Sequence, residues 1–427
     1  MYRRQSISRR KGERGVVILL VAIVLLFVVG AMAALAVDFV TFYTARSEAQ
    51  LAADSAALAG ARMMANSGVT SNPSDSGLNS AAQTLAENVA RQVAMSNKVG
   101  GRNLVGTEVV VTLSTASSGG GGGLGPNPRI TVQISRTDLP TFFARIWGRT
   151  QLSLSASATA EAYNPSGLNG SPGRYPTVAP ICVKPWVLPN LDPNGNPLFN
   201  ATTGAAINAS GVLGWSDAAQ PTGRFRSATG GAPQAWHYYP GSQLDFPAPT
   251  QALPNCGGLD SYQESIAGCV STPISCNSTV RLDTGPYFQR TRKTAIAVNC
   301  LTHAATNGGD QVSTAPPGRA FRFVGGDGNP IAALDNQEVM VSNSLVTVPV
   351  YNSSGVAPGT TVQIVGFVQL FMNPDGNAAP TAGFGGPPPP IKTAVVNLVG
   401  CGTNASTTDQ PVLGNGASPV AVRLVTP

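Results

Sequence analysis

Residues Val16 to Val37 form a run of 22 uncharged, mostly apolar residues, and the first acidic residue after it is Asp38. At about 1.5 Å per residue a helix of that length covers roughly 33 Å, enough to cross a hydrocarbon core of about 30 Å. The pattern then changes without a break. Between Asp38 and about Asn66 there is no proline and no glycine before Gly60, and alanine dominates. Ala45, Ala49, Ala52, Ala56, Ala59 and Met63 recur at alternating spacings of four and three, and Phe42 extends the stripe backwards. That is an a/d-type seam made of small residues, which lets helices approach closely. Leu51 and Leu58 mark a second stripe with Asp54 between them. The seam predicts a helix interface comprising Ala45, Ala49, Ala52, Ala56 and Ala59, flanked by Asp38 and Asp54. Its partner is either the chain's own downstream sheet or helices of other subunits, a second copy of the chain included.

Ser67, Gly68, Asn72, Pro73 and Gly77 predict a turn-rich break over 67–78, followed by a second helix from about Ala81 to Met95. Strands are expected at Glu108–Leu113, at Arg129–Ser135 and at Gln151–Glu161, where apolar and polar residues alternate with period two. Thr141–Gly148 reads as a short apolar turn or helix. The five glycines that follow Ser118 lead into Leu124-Gly125-Pro126 rather than Gly-Lys-Ser/Thr, so they predict a hairpin loop and not a phosphate cradle. Beyond the linker-like stretch 163–180, strand signals stand at Lys293–Val298, Ala320–Val324, Leu345–Tyr351, Thr361–Met372 and Lys392–Val399, with almost no sustained helical period. An antiparallel sandwich or irregular barrel is expected there. Pro387–Pro390 predict a stiff polyproline loop.

The resulting expectation is a membrane-anchored α+β chain: a basic tail over 1–14, a transmembrane helix over 15–38, a helical stalk with antiparallel strands over 39–162, a linker over 163–180 and a mainly-β domain over 181–427. Charge sets the orientation. Arg3, Arg4, Arg9, Arg10, Lys11 and Arg14, opposed only by Glu13, account for most of the net +6. Basic residues beside a span stay on the cytoplasmic side, so the bulk of the chain is expected in the periplasm or outside the cell. The positive excess sits at a membrane surface and not on a nucleic-acid-binding domain. Ala31, Ala33 and Ala34 would suit a signal peptidase, but the apolar run exceeds the usual signal core of about 7–15 residues, which favours a retained anchor. Cys182, Cys256, Cys269, Cys276, Cys300 and Cys401 all follow the span. An even number in an oxidising compartment predicts a disulfide framework, with about fifteen connectivities open.

Four pieces of sequence together resemble the TadE/TadG-like family of tight-adherence (Flp) pilus assembly proteins. Arg14-Gly15 opens the apolar span. Ala36-Val37-Asp38 closes it before Phe39, Phe42 and Tyr43. Leu51-Ala52-Ala53-Asp54-Ser55-Ala56-Ala57-Leu58-Ala59-Gly60-Ala61 is similar to the family's "LQ.AADAAALAGA", with Gln50 shifted by one place and Ser55 replacing an alanine. Thr141-Phe142-Phe143-Ala144-Arg145-Ile146-Trp147-Gly148, followed by Ser155–Ala160, resembles the family's "FF…G…A.A.A" region. The resemblance covers about residues 12–162. It implies a single-span envelope protein that assembles or anchors a pilus, with the lipid bilayer and other pilus-assembly membrane proteins as partners. No acidic residue lies between Gly15 and Val37, where minor-pilin members are cut, so the resemblance points to the anchored TadG-like members. Their Asp-x-Ser-x-Ser metal motif is absent: Asp54-Ser55-Ala56 and Asp75-Ser76-Gly77 fail at the required positions.

Chemistry is sparse. His237 and His303 are the only histidines, neither at zinc-site spacing, and Cys269 and Cys276 lie seven apart, unlike a redox Cys-x-x-Cys. Asp192-Pro193-Asn194-Gly195-Asn196-Pro197 begins like a calcium loop but has Thr203 at the twelfth place, and an Asn-Gly turn is the better reading. The sequence thus predicts no enzyme, no cofactor and no metal. Two rival readings use the same anchor: a surface adhesin stacking sugars on Trp236–Tyr239, and an anchored hydrolase with paired carboxylates.

Overall fold

The computed structural model describes residues 13–115, 127–167, 176–192, 195–213, 224–227, 237–250, 256–284, 287–304, 308–313, 320–352, 359–381, 391–401, 410–414 and 416–425. The pentaglycine segment, Trp236, Pro387–Pro390 and the basic tail up to Lys11 lie outside the described residues. The chain forms two compact units. The first holds the described residues up to Ala53 with Ala94–Val110 and Gln133–Ser157; the second holds Asp54–Val93, Val111–Val132 and the described residues from Ala158 on.

Helix α1 runs from Glu13 to Asn66 and α2 from Ser76 to Ser96. The expected break between them is shorter than the sequence suggested, because Asp75 caps α2: its Oδ1 accepts the Leu78 amide at 2.9 Å. Gly77 is therefore a first-turn residue and not a turn residue. Strands β1 (Lys98–Val99) and β2 (Arg102–Asn103) make a two-residue hairpin. Strands β3 (Val109–Thr115), β4 (Pro128–Pro140) and β5 (Gln151–Tyr163) follow, the last two alternating buried and more exposed positions as their sequences imply. The 141–148 segment is a 3-10 turn at Ala144–Trp147.

The remaining strands are β6 (Trp186–Pro189), β7 (Arg224–Ser227), β8 (His237–Pro240), β9 (Thr279–Arg281), β10 (Gln311–Ser313), β11 (Arg322–Val324), β12 (Glu338–Val339), β13 (Leu345–Tyr351), β14 (Thr361–Met372), β15 (Ile391–Gly400) and β16 (Ala421–Val425). Seven of them run in the order β13-β6-β8-β7-β15-β14-β9, and β13 also pairs with β14, so six strands close into a ring. Closure accords with the irregular-barrel expectation, and it removes the free edges that a long apolar strand would expose. The sheet is not purely antiparallel. β13 with β6 and β7 with β8 run parallel, pairings that no local pattern announces. A separate four-stranded sheet has the order β16-β5-β4-β3. There the last strand of the chain returns to lie antiparallel to β5, with Ala421 opposite Tyr163 and Val425 opposite Thr159.

The barrel core joins Trp186, Leu188, Tyr238, Val348, Val350, Val368, Leu370, Val395 and Leu398 to Val212 of the short helix α3 (Ala209–Val212) and to residues of α4 (Ser261–Ala267) and α5 (Tyr287–Leu301). Helix α5 corrects the strand expected at Lys293–Val298. Its β-branched residues suggested a strand, but the buried set Thr294, Ala295, Ala297, Val298 and Leu301 follows helical spacing. The Thr294 hydroxyl oxygen lies 2.8 Å from both the Tyr238 and Tyr262 hydroxyls, which fixes the helix face against the core. Tertiary burial has overridden local propensity.

All six cysteines are paired, as 182–269, 256–300 and 276–401. The last bridge spans 125 residues. Cross-links over loops of that order remove about 4–5 kcal/mol of chain entropy from the unfolded ensemble. The turn after α1 is stitched to β15 by Asn397, whose side chain is fully buried. Its amide donates to the Ala65 carbonyl at 2.5 Å and to Gln369 Oε1 at 2.6 Å, while its Oδ1 accepts Thr70 Oγ1 and Ser71 Oγ at 3.3 and 3.2 Å. Both donors and both acceptor sites are used, so the group is buried without penalty.

The second unit also shows why α1 carries Gly60. A Cβ there would meet Ala86 O and Ala90 Cβ at 3.2 Å, with Ile130 Cδ1 closer still. Gly60→Val is expected to overpack this crossing and cost about 1–3 kcal/mol. A thermal or denaturant midpoint unchanged from the parent would show the crossing to be looser than described.

Candidate functional site in helix α1

α1 changes its solvent requirement along its length. From Val16 to Val37 nearly every side chain is exposed, Leu26 and Phe27 by about three-quarters, and nothing among the described residues covers them. Among the described residues this is the helix long and apolar enough to cross a membrane. Uncovered apolar surface of that length is stable in lipid and not in water, which suggests a single-pass anchor. From Ala45 onward one face is buried instead. Ala45, Ala49, Ala52 and Ala56 are at most 1% exposed, while Asp54 and Ala59 are half-buried. The chain itself fills the predicted seam. The opposite face stays open: Val40, Tyr43 and Leu51 are each more than 60% exposed.

Asp38 stands at the change. It is buried, and its carboxylate receives four hydrogen bonds from three consecutive backbone amides. Oδ1 accepts Phe142 N at 2.8 Å and Phe143 N at 3.3 Å; Oδ2 accepts Phe143 N at 3.0 Å and Ala144 N at 2.6 Å. These amides open the 3-10 turn Ala144–Trp147, and the first amides of a helical turn have no partner within it. A carboxylate there satisfies them and complements the turn's positive end. The same turn presents exposed Phe142, Phe143, Arg145 and Arg149. Aromatic and basic residues at the end of a span match the composition of the membrane–water interface.

Two further contacts fasten α1 within the first unit. Glu48 Oε2 accepts Gly100 N at 2.7 Å, and Gln50 Nε2 donates to the Ser157 carbonyl at 3.1 Å. Beside them Arg102 forks between Glu108, at 2.5 Å, and Asp138, at 2.9 Å, and Arg136 meets Asp138 at 2.8 Å. The two guanidiniums, Arg136 first, hold the Asp138 carboxyl down at about 2. The Glu48, Gln50 and Arg102–Asp138 contacts were not legible in the sequence, because their partners lie 52, 107 and 36 residues away. The double aromatic Phe142-Phe143 was the one local signal near the Asp38 contact.

The residues considered for chemistry are placed as follows. Cys300 is bonded to Cys256, so it is no ligand for His303, whose Nε2 lies 2.9 Å from Asn343 Nδ2. Among the described residues no group of three His, Cys, Asp or Glu is placed to hold a metal. Asp192 accepts the Gly195 amide through its carbonyl and the Asn196 amide through Oδ1, the bonding of a tight turn. Tyr238 and Tyr239 are fully buried, so these two rings offer no face to a sugar.

Charge-assisted bonds to a buried carboxylate are each worth about 1.5–3 kcal/mol. Asp38→Ala is therefore expected to speed hydrogen exchange at the amides of residues 142–144 by roughly 10- to 100-fold while leaving the barrel strands unchanged. Asp38→Asn should fall between. Equal exchange in all three proteins would mean that the turn holds itself.

No curated protein and no solved structure matches the chain. One family model does, over residues 15–63: the putative Flp pilus-assembly TadE/G-like family. The matched stretch begins with the uncovered apolar run, contains Asp38 and the small-residue seam, and stops in the last turn of α1. Helix α1 is thus the part of this protein that is similar to the TadE/G-like pilus-assembly family.

Proposed function

We propose that the protein is a non-catalytic, TadG-like component of Flp pilus assembly, held in the inner membrane by one retained span with its bulk in the periplasm. The observation that carries this reading is the uncovered apolar run inside a TadE/G-like segment. The basic residues before the span support a cytoplasmic N-terminus. Three disulfides after it support an oxidising compartment for the rest.

The anchor acts by contact. Because the seam Ala45–Ala59 is occupied from within the chain, partner helices meet the open face of α1, the stripe Val40, Tyr43, Ser47 and Leu51. These positions recur at spacings of three, four and four, so one neighbouring helix can lie along them. A second copy of the chain or another pilus-assembly membrane protein would serve.

A photo-crosslinking residue at Tyr43 or Leu51 is expected to capture an envelope protein in intact cells, and one at Ala49 is not. Tyr43→Lys with Leu51→Lys should reduce piliation without lowering the amount of protein. Equal capture at all three positions, or full piliation in the double variant, would refute the contact face. A reporter enzyme fused after Pro427 and active only in the cytosol would refute the orientation.

A further inference from the structure

Within the second unit a cleft of about 460 Å³ opens between the end of α1, the residues before β6, the ends of α4 and α5, and the start of β13. That volume suits a small organic molecule. Its walls are largely apolar, with Leu301, Val341, Leu345, Val346 and the Cys182–Cys269 and Cys256–Cys300 bridges. Its ionisable side chains are all bases, Arg62, Lys184 and His303, with no Asp or Glu among the described lining residues.

Lys184 is only 4% exposed, and its ammonium has three donors. One meets the Gly268 carbonyl at 2.7 Å. No other acceptor among the described residues meets it, and none meets the half-buried Arg62 guanidinium. The buried carboxylate of Asp310 is bonded to the lining residue Ser342 and is not itself part of the lining. It accepts the Ser342 hydroxyl, the Gly326 amide and the Asn329 side-chain amide, and its charge acts on His303. Removing an ammonium from water without a counter-charge is costly. Burial accordingly pushes the Lys184 ammonium down to about 7.

We propose that this cleft binds a small organic carboxylate, with the anionic end against Lys184 and Arg62 and the apolar body against Leu301, Leu345 and Val346. The ligand is a free acid or the C-terminal residue of a peptide. One ammonium and one guanidinium among apolar walls match a monoanion with a hydrocarbon tail. A phosphate dianion keeps its water and asks for more oriented donors. The site is independent of the pilus reading, since no residue of it lies in the open stripe of α1.

The test is calorimetry on the full chain in lipid nanodiscs with four probes: hexanoate, acetyl-Ala-Leu with a free C-terminus, the same peptide amidated, and inorganic phosphate. Hexanoate or the free-acid peptide should bind at least tenfold tighter than the amide and than phosphate. Binding of the peptide alone identifies a chain terminus as the ligand, and binding of hexanoate identifies a free acid. Two buffers of different ionisation heat at pH 8 should reveal proton uptake, because the anion returns the Lys184 ammonium to its charged form. Arg62 is charged throughout; His303 also lines the cleft, with its Nε2 against Asn343, so His303→Gln should leave the uptake intact and assign the proton to Lys184. Lys184→Met should abolish both binding and uptake. Arg62→Gln, at a half-buried position, should weaken binding at least tenfold while the unfolding midpoint holds. Equal affinity for acid and amide, preference for phosphate, no binding by either acid, or affinity unchanged in both variants overturns the proposal.

Discussion

One helix carries two incompatible solvent requirements, and the structure follows from where they meet. Before Asp38 nearly all side chains of α1 find no cover among the described residues; after Ala45 one face packs against protein. The hydrophobic effect alone would bury both halves in the same core. That does not happen because the first half is apolar on every face, whereas the second is apolar mainly along a seam of alanines. A helix apolar all round needs lipid or a large core, and a seam of small residues needs a close neighbour. Asp38 marks the change with a charge that is satisfied by three amides of a distant turn, so the chain fixes the position of that turn relative to the apolar run.

Past the helix, polar side chains without charge do much of the fastening. Around β15 and the turn after α1, buried Asn397 bonds Gln369 and Ser71, and buried Asn164 donates to the Leu398 carbonyl. A neutral amide brings two donors and two acceptor sites into the interior at a fraction of the desolvation cost of an ion. This accounts for a chain that holds together with only 11% charged residues. Ring closure of the barrel, the return of β16 to β5 and three disulfides then limit the freedom of a turn-rich sequence.

Local pattern carried much of this. The long strands β13 and β14 begin and end at the residues their hydrophobic runs suggested, and the alternation in β4 and β5 is visible in both sequence and burial. The α1 seam was equally plain, but its occupant was not, since a stripe of alanines fits a strand, a helix or another subunit alike. What stayed hidden depends on distant residues. The Asp38 contact joins positions more than one hundred residues apart, the parallel pairings have no turn signal, and the cysteine connectivity was one of many. In α5 the β-branched residues pointed the wrong way, because two tyrosine hydroxyls and the barrel core decide its form. Lys184 gave no signal at all: a lone lysine in sequence is ordinarily exposed.

The account rests on lipid covering what the protein leaves bare. Because all six native cysteines are paired, a single cysteine can be placed at Phe27 or at Phe142, spin-labelled, and its depth read in bilayers from collision with oxygen and with a water-soluble nickel chelate. The account predicts a label at 27 near the bilayer centre, shielded from nickel, and one at 142 at the headgroup level. A label at 27 reached freely by nickel, or a mature chain that lacks residue 27 altogether, would contradict it.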